Sequence, residues 1–172
     1  VRSRGLGVCI RDRLQLRLPT ERYYEEEGRA ELTPRDFGIL MHRVFENAAT
    51  TDEIYMAIEA MTQDGVLDEK EAPRLRELVE KALADPVTAE WFGGRWQVVR
   101  NENEIILPGS GTTRRPDRVM TDGERAVVVD YKFGDRETAR HRKQIREYLR
   151  LLRQMGYTRT EGYLWYVRLG RT

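Results

Sequence analysis

The chain has 172 residues, 40% of them hydrophobic and 34% charged, with a net charge of +1. That length suits one domain with an ordinary core. No apolar stretch approaches the roughly 20 residues of a membrane helix and no signal-peptide pattern opens the chain, so a cytoplasmic setting without a membrane partner is expected. One cysteine, Cys9, excludes an internal disulfide and any multi-cysteine metal or iron–sulfur site within this chain. The start at Val1, without methionine, reads as a fragment of a longer protein, although tag removal or processing would look the same.

In chain order, Val8 to Leu18 alternates loosely, as a short hairpin or edge strand, and Pro19 stops it. Thr33-Pro34 looks like a cap followed by proline at the first helical position. Phe37, Leu40, Met41, Val44 and Phe45 then recur at helical spacing, predicting a helix to about Ala49. A second helix is expected over Asp52–Gln63 and a third over Asp68–Ala84, with Leu75, Leu78, Val79 and Leu83 as its apolar stripe. Asp85-Pro86 opens a short helical turn ending at Gly93-Gly94. From Trp96 the pattern is extended to Leu107, turns through Pro108 to Gly111, and extends again over Thr112–Met120. Asp122-Gly123 is a hairpin signal leading into a strand over Arg125–Lys132. A long helix, Glu137–Met155, buries Ile145, Tyr148, Leu149 and Leu152, and a last strand covers Glu161–Leu169. A strand, a helical crossover and a further strand imply a parallel pair, hence a mixed α/β sheet flanked by helices.

Charge is segregated along this order. Acids dominate from Glu21 to Glu31, whereas seven Arg/Lys face only Glu137 and Glu147 between Arg136 and Arg153. Such a basic helix can neutralise phosphates, or it can be an ordinary solvated face.

The residues that carry chemistry lie around the Arg125–Lys132 strand. Its run Ala126-Val127-Val128-Val129 stops on Asp130-Tyr131-Lys132. Alternation along a strand puts Asp130 and Lys132 on one face and Tyr131 on the other. Asp117 precedes them in Arg115-Pro116-Asp117-Arg118-Val119. Two acids and a lysine suit a hard divalent metal acting on a phosphate, with the Tyr131 backbone carbonyl completing part of the shell and Lys132 holding water or stabilising developing charge. His42, in an otherwise apolar helix, reads on its own as a hydrogen-bonded core histidine. His141 reads as a surface histidine on a basic helix. Arg114, Arg115 and Arg118 suit phosphate binding or pairing with nearby acids equally. Trp91, Trp96 and Trp165 read as core or core-edge residues, and the glycines near Pro108 lack the lysine of a nucleotide loop, so no ATP site is expected.

Asp117 followed 13 residues later by Asp130-Tyr131-Lys132, with a hairpin between, resembles the PD-(D/E)xK nuclease superfamily. Two outlying elements resemble its RecB-like branch, the nuclease domains of recombination helicases such as RecB and AddA. One is Gly38-Ile39-Leu40-Met41-His42-Arg43-Val44-Phe45-Glu46, matching a helical G-x-x-x-H-x-x-x-E element whose histidine binds metal; the other is Gln144-Ile145-Arg146-Glu147-Tyr148, matching Q-x-x-x-Y. The resemblance implies a restriction-endonuclease-like core behind an N-terminal helical region. It divides a single nuclease domain, 1–172, into a helical part, 33–95, that carries the histidine and a catalytic α/β part, 96–169. It further implies a Mg2+- or Mn2+-dependent deoxyribonuclease of bacterial type in repair or recombination, an exonuclease or a helicase-coupled endonuclease, with a helicase motor in the parent chain or complex. His42, Asp117, Asp130 and the Tyr131 carbonyl would bind metal, and Asp117, Asp130 and Lys132 would be catalytic. Glu104 would support the site, with Glu102 as the competing choice, and Gln144, Tyr148, Arg140 and Lys143 would support it or contact DNA. The four cysteines of the iron–sulfur members are missing. The alternative is a catalytically silent DNA-binding or helicase-docking module of the same fold.

Overall fold

A computed structural model describes residues 33–106, 113–133 and 138–167. The strand expected over Val8–Leu18, the acidic run at Glu21–Glu31 and the turn at Pro108–Gly111 lie outside the described residues. Four helices come first: α1 (Pro34–Glu46), α2 (Thr51–Gln63), α3 (Ala72–Ala82) and α4 (Pro86–Trp91). The strands β1 (Val98–Asn101), β2 (Ile105–Ile106), β3 (Thr113–Arg114), β4 (Arg118–Asp122) and β5 (Arg125–Lys132) follow, then α5 (Ala139–Gln154) and β6 (Arg159–Tyr166). Among the described residues no helix is long and apolar enough to cross a membrane.

The element boundaries have local causes. Thr33 and Asp36 form a reciprocal capping box that starts α1, with Pro34 in the first turn where no N–H is needed. α1 stops at Glu46, short of the expected Ala49, and the carbonyls of Ala48 and Ala49 instead accept hydrogen bonds from Arg118. α3 begins at Ala72 rather than Asp68, because Pro73 fits only the first turn of a helix. The expected strand over Trp96–Leu107 is broken in two by Glu102, whose φ of 53° is a left-handed conformation that no ladder accommodates. The β4–β5 hairpin turns through Gly123-Glu124 rather than Asp122-Gly123: Asp122 still pairs with Arg125, and a glycine with φ of 56° followed by a residue with negative φ is the II′ pattern.

The main sheet has the order β1-β4-β5-β6, antiparallel except for the β5–β6 pair joined across α5, and β2–β3 form a separate two-stranded ladder. This is the mixed, helix-flanked α/β sheet of a restriction-endonuclease-like fold. β5 is buried on both sides. Val127, Val129 and Tyr131 join the larger core with α1–α4, including Phe45, Trp91 and Trp165, whereas Ala126 and Val128 face Ile145, Tyr148 and Leu152 of α5. Asp130, 2% exposed, therefore lies on the α5 side.

The α5 side is packed too closely for any side chain at Gly162 of β6: an added Cβ would lie 2.7 Å from Ile145 Cγ2 and 3.2 Å from both Leu149 methyl carbons. Ile145 is β-branched and cannot swing aside, so Gly162→Ala is expected to destabilise the fold by about 1–3 kcal/mol. Urea unfolding followed by circular dichroism checks this.

Candidate active site

The antiparallel register of β4 with β5 ends at Arg118↔Val129, so Asp130, Tyr131 and Lys132 project beyond their antiparallel neighbour while remaining paired with Leu164, Trp165 and Tyr166 of β6. Tyr131 would lose its partner on the β4 side. Asp117 replaces it: Asp117 Oδ2 accepts the Tyr131 N–H at 2.5 Å. Because the N–H and C=O of one strand residue point to the same edge, the Tyr131 carbonyl is also directed to the Asp117 side.

His42 reaches the same place from α1. Its Nδ1 lies 3.1 Å from Glu46 Oε2, one helical turn on, and its Nε2 lies 3.5 Å from Glu102 Oε1 and 3.7 Å from Asp117 Oδ1. Met41 and Phe45 on either side of it are buried in the helical core, and the ring stands edge-on to Tyr131 and Phe133. Arg115 holds Glu102 in place, with Nε 2.8 Å from its carbonyl oxygen and 2.7 Å from Oε2.

The other half of the site comes from β5 and α5. Lys132 forms an ion pair with Asp130 Oδ2, in contact but without an aligned hydrogen bond. Gln144 Nε2 donates to Asp130 Oδ1 at 3.1 Å and to Tyr148 Oη at 3.0 Å, and Tyr148 donates in turn to the Arg115 carbonyl at 3.2 Å. Gln144 and Tyr148 thus connect the strand acid to the segment carrying Asp117. His141, from the first turn of α5, lies 3.0 Å through Nδ1 from Tyr166 Oη.

Burial, and then the crowding of carboxylates, governs the electrostatics. Burial, then the neighbouring Asp117, pushes Glu102 up to about 7. Burial acts on Asp117 in the same sense but is outweighed by the nearby His42 imidazole and the Tyr131 N–H, so its carboxyl titrates below the usual range. Burial raises Asp130 despite Lys132. Attraction to Asp117 first, then to Glu102 and Glu46, raises His42 against the opposing effect of its burial. Glu102 Oε1 is buried without a hydrogen bond. His42, Glu46 and Glu102 offer ligand atoms within 4.8 Å of one another. An imidazole nitrogen, crowded carboxylates and an orphaned carboxylate oxygen fit a divalent cation by charge and by donor type.

Several expectations change here. The structure places Glu102, not Glu104, beside His42. The left-handed turn at Glu102 breaks the strand alternation that would have paired the two, leaving Glu104 exposed. Arg114 is bound through two hydrogen bonds of 3.1 Å to Glu147, and Arg115 to Glu102, so both pair with acids. Arg118 does neither of the things expected of it: it is fully buried among backbone carbonyls. Glu46 had no role assigned, although its position four residues after His42 places both on one helical face. Arg140 and Lys143 are exposed on α5.

The sequence model of the PD-(D/E)XK nuclease superfamily matches residues 12–172. The chain belongs to this superfamily. A comparison with curated proteins finds no match. Superfamily nucleases use divalent metals, and the cluster around His42 and Glu102 is a candidate site for one in this PD-(D/E)XK domain.

If Glu102 contributes to such a site, Glu102→Gln should weaken the Mn2+-induced rise in Tm by at least about tenfold in the concentration required, while Glu104→Gln leaves it unchanged. Since Glu102 is protonated below about 7 and protonated His42 cannot bind, apparent affinity should increase as pH rises through that value. Thermal-shift titrations at several pH values measure both.

Proposed function

We propose that this chain is a divalent-metal-dependent DNA nuclease domain of the RecB-like branch, acting on DNA ends during repair or recombination. The observation that carries the reading is the meeting of His42 from α1 with Asp117, beside the Asp130–Lys132 pair at the overhanging end of β5. A generic phosphate site has no need of a histidine from a distant helix.

In this reading His42, Asp117, Asp130 and the Tyr131 carbonyl hold Mg2+ or Mn2+, with Glu102 supporting them. When bound, the cation supplies charge relief at the phosphate and lowers the pKa of a water nucleophile. Lys132 orients that water beside Asp130 and donates to the phosphoryl oxygens as negative charge develops, with its ammonium already placed before reaction begins. Gln144 fixes one oxygen of Asp130 so that the other remains turned to Lys132. Phosphates of the strand being cut run along α5, whose Arg140, Lys143, Arg146 and Arg150 are exposed while its one acid, Glu147, is occupied by Arg114. Residues 33–95 deliver the histidine and 96–169 the acids and lysine, within a single nuclease domain spanning 1–172. A helicase motor in the same parent chain or complex would feed DNA to it in the bacterial cytoplasm.

The purified protein is expected to degrade DNA with Mg2+ or Mn2+ and to stop when EDTA is added. His42→Ala, Asp117→Ala, Asp130→Ala and Lys132→Ala should each reduce the single-turnover rate by at least about a hundredfold. Full activity in Asp130→Ala would sink the assignment, and DNA binding without cleavage by the unaltered protein would make it a silent module. Linear and covalently closed substrates, compared in the same assay, separate exonuclease from endonuclease action.

A further inference from the structure

Arg118 is 0% exposed, an unusual place for an arginine. Its four hydrogen bonds go to neutral acceptors: Nη1 to the Ala48 carbonyl at 2.7 Å and to Asn101 Oδ1 at 3.2 Å, and Nη2 to the carbonyls of Ala49 and Trp91, both at 2.7 Å. Its guanidinium lies 4.0 Å over the Phe92 ring. Asn101 Nδ2 also donates to the Ala48 carbonyl at 3.0 Å, closing a ring of contacts.

Three of the segments joined in this way lead to groups at the candidate metal site, the exception being that of Trp91 at the end of α4. Ala48 lies two residues beyond Glu46 and six beyond His42, Asn101 immediately precedes Glu102, and Arg118 itself follows Asp117. Strand alternation turns Arg118 into the helical core while Asp117 stays at the sheet's end. An arginine used only to fill a core could be replaced by an apolar residue without loss, since burying a guanidinium is costly. A planar fork of five donors, in contrast, can tie three chain segments at fixed mutual distances, which a lysine cannot.

We propose that Arg118 is the positioning residue of the site: it sets the distance from α1, with His42 and Glu46, to the strand ends bearing Glu102 and Asp117, and it contacts no DNA. The role rests on the metal-dependent reading above, but the geometry it controls exists without metal. Two variants test it. Arg118→Lys keeps the charge and loses the fork. Asn101→Ala removes one arm of the ring while leaving Arg118, and covers the case in which Arg118→Lys does not fold.

Crystal structures of the metal-free variants should show the His42 Nε2 to Asp117 Oδ1 separation changed by about 1 Å or more with the β4–β5 register retained, a displacement of the size that costs catalysis. Mn2+ titrations should show half-saturation moved up about tenfold, with excess Mn2+ restoring cleavage. DNA binding in EDTA should keep its affinity and its salt slope in both variants. An unchanged separation in a folded variant overturns the proposal. So does weakened DNA binding in EDTA by Arg118→Lys, or a loss of cleavage that no concentration of Mn2+ restores. If the unaltered protein neither binds Mn2+ nor cleaves DNA, the metal reading fails instead, and the crystallographic separation still decides the role of Arg118.

Discussion

β5 overruns its antiparallel partner. Its last paired residue on the β4 side is Val129, and Asp130, Tyr131 and Lys132 continue past it while β6 still supports their other edge. A strand buried on both faces cannot carry charge along its length, because buried ions need partners and water is excluded. At an overhang the requirement is relaxed. Asp117 takes up the unpaired Tyr131 N–H, α1 approaches from one side of the sheet and α5 from the other, and His42 and Gln144 meet the two aspartates at that overhang.

The acids are gathered closely enough to oppose one another. Glu102 is driven up to about 7 and Asp130 is raised, whereas Asp117 is held low by His42 and the backbone. These opposed shifts have three sources: burial, which disfavours every carboxylate, repulsion between neighbouring acids, and the contacts of Asp117 with His42 and the Tyr131 N–H, which lower that one. Lys132 and the raised His42 offset part of the negative charge, and Glu102 Oε1 still lacks a donor. The unbalanced charge lies beside His42, where a cation is electrostatically favoured.

Much of the scaffold could be read from residues. The proline and capping signals of α1, the apolar run of β5, the periodicity of α5 and the parallel return to β6 all reflect local rules, so element types came out as expected with ends displaced by a few residues. The displaced ends have nonlocal partners: beyond the end of α1 Arg118 takes the carbonyls of Ala48 and Ala49, and the strand after Trp96 breaks at Glu102, held by Arg115. Residue spacing carries no trace of either contact. That Glu102 rather than Glu104 lies beside His42 was hidden for the same reason, since alternation is informative only while the chain remains a strand.

The sequence alone determined which groups the chain possesses and the order in which they arrive: a histidine and glutamate one helical turn apart, an Asp–Lys pair on one strand face, and a glutamine and tyrosine on one face of a helix. Those facts depend on the fixed periods of helix and strand. Tertiary structure decided which acids meet the histidine, which arginine is buried and which are paired, and where the tyrosine sends its hydrogen bond. Such outcomes depend on contacts between segments far apart in the chain, each set by the packing of the whole core around β5.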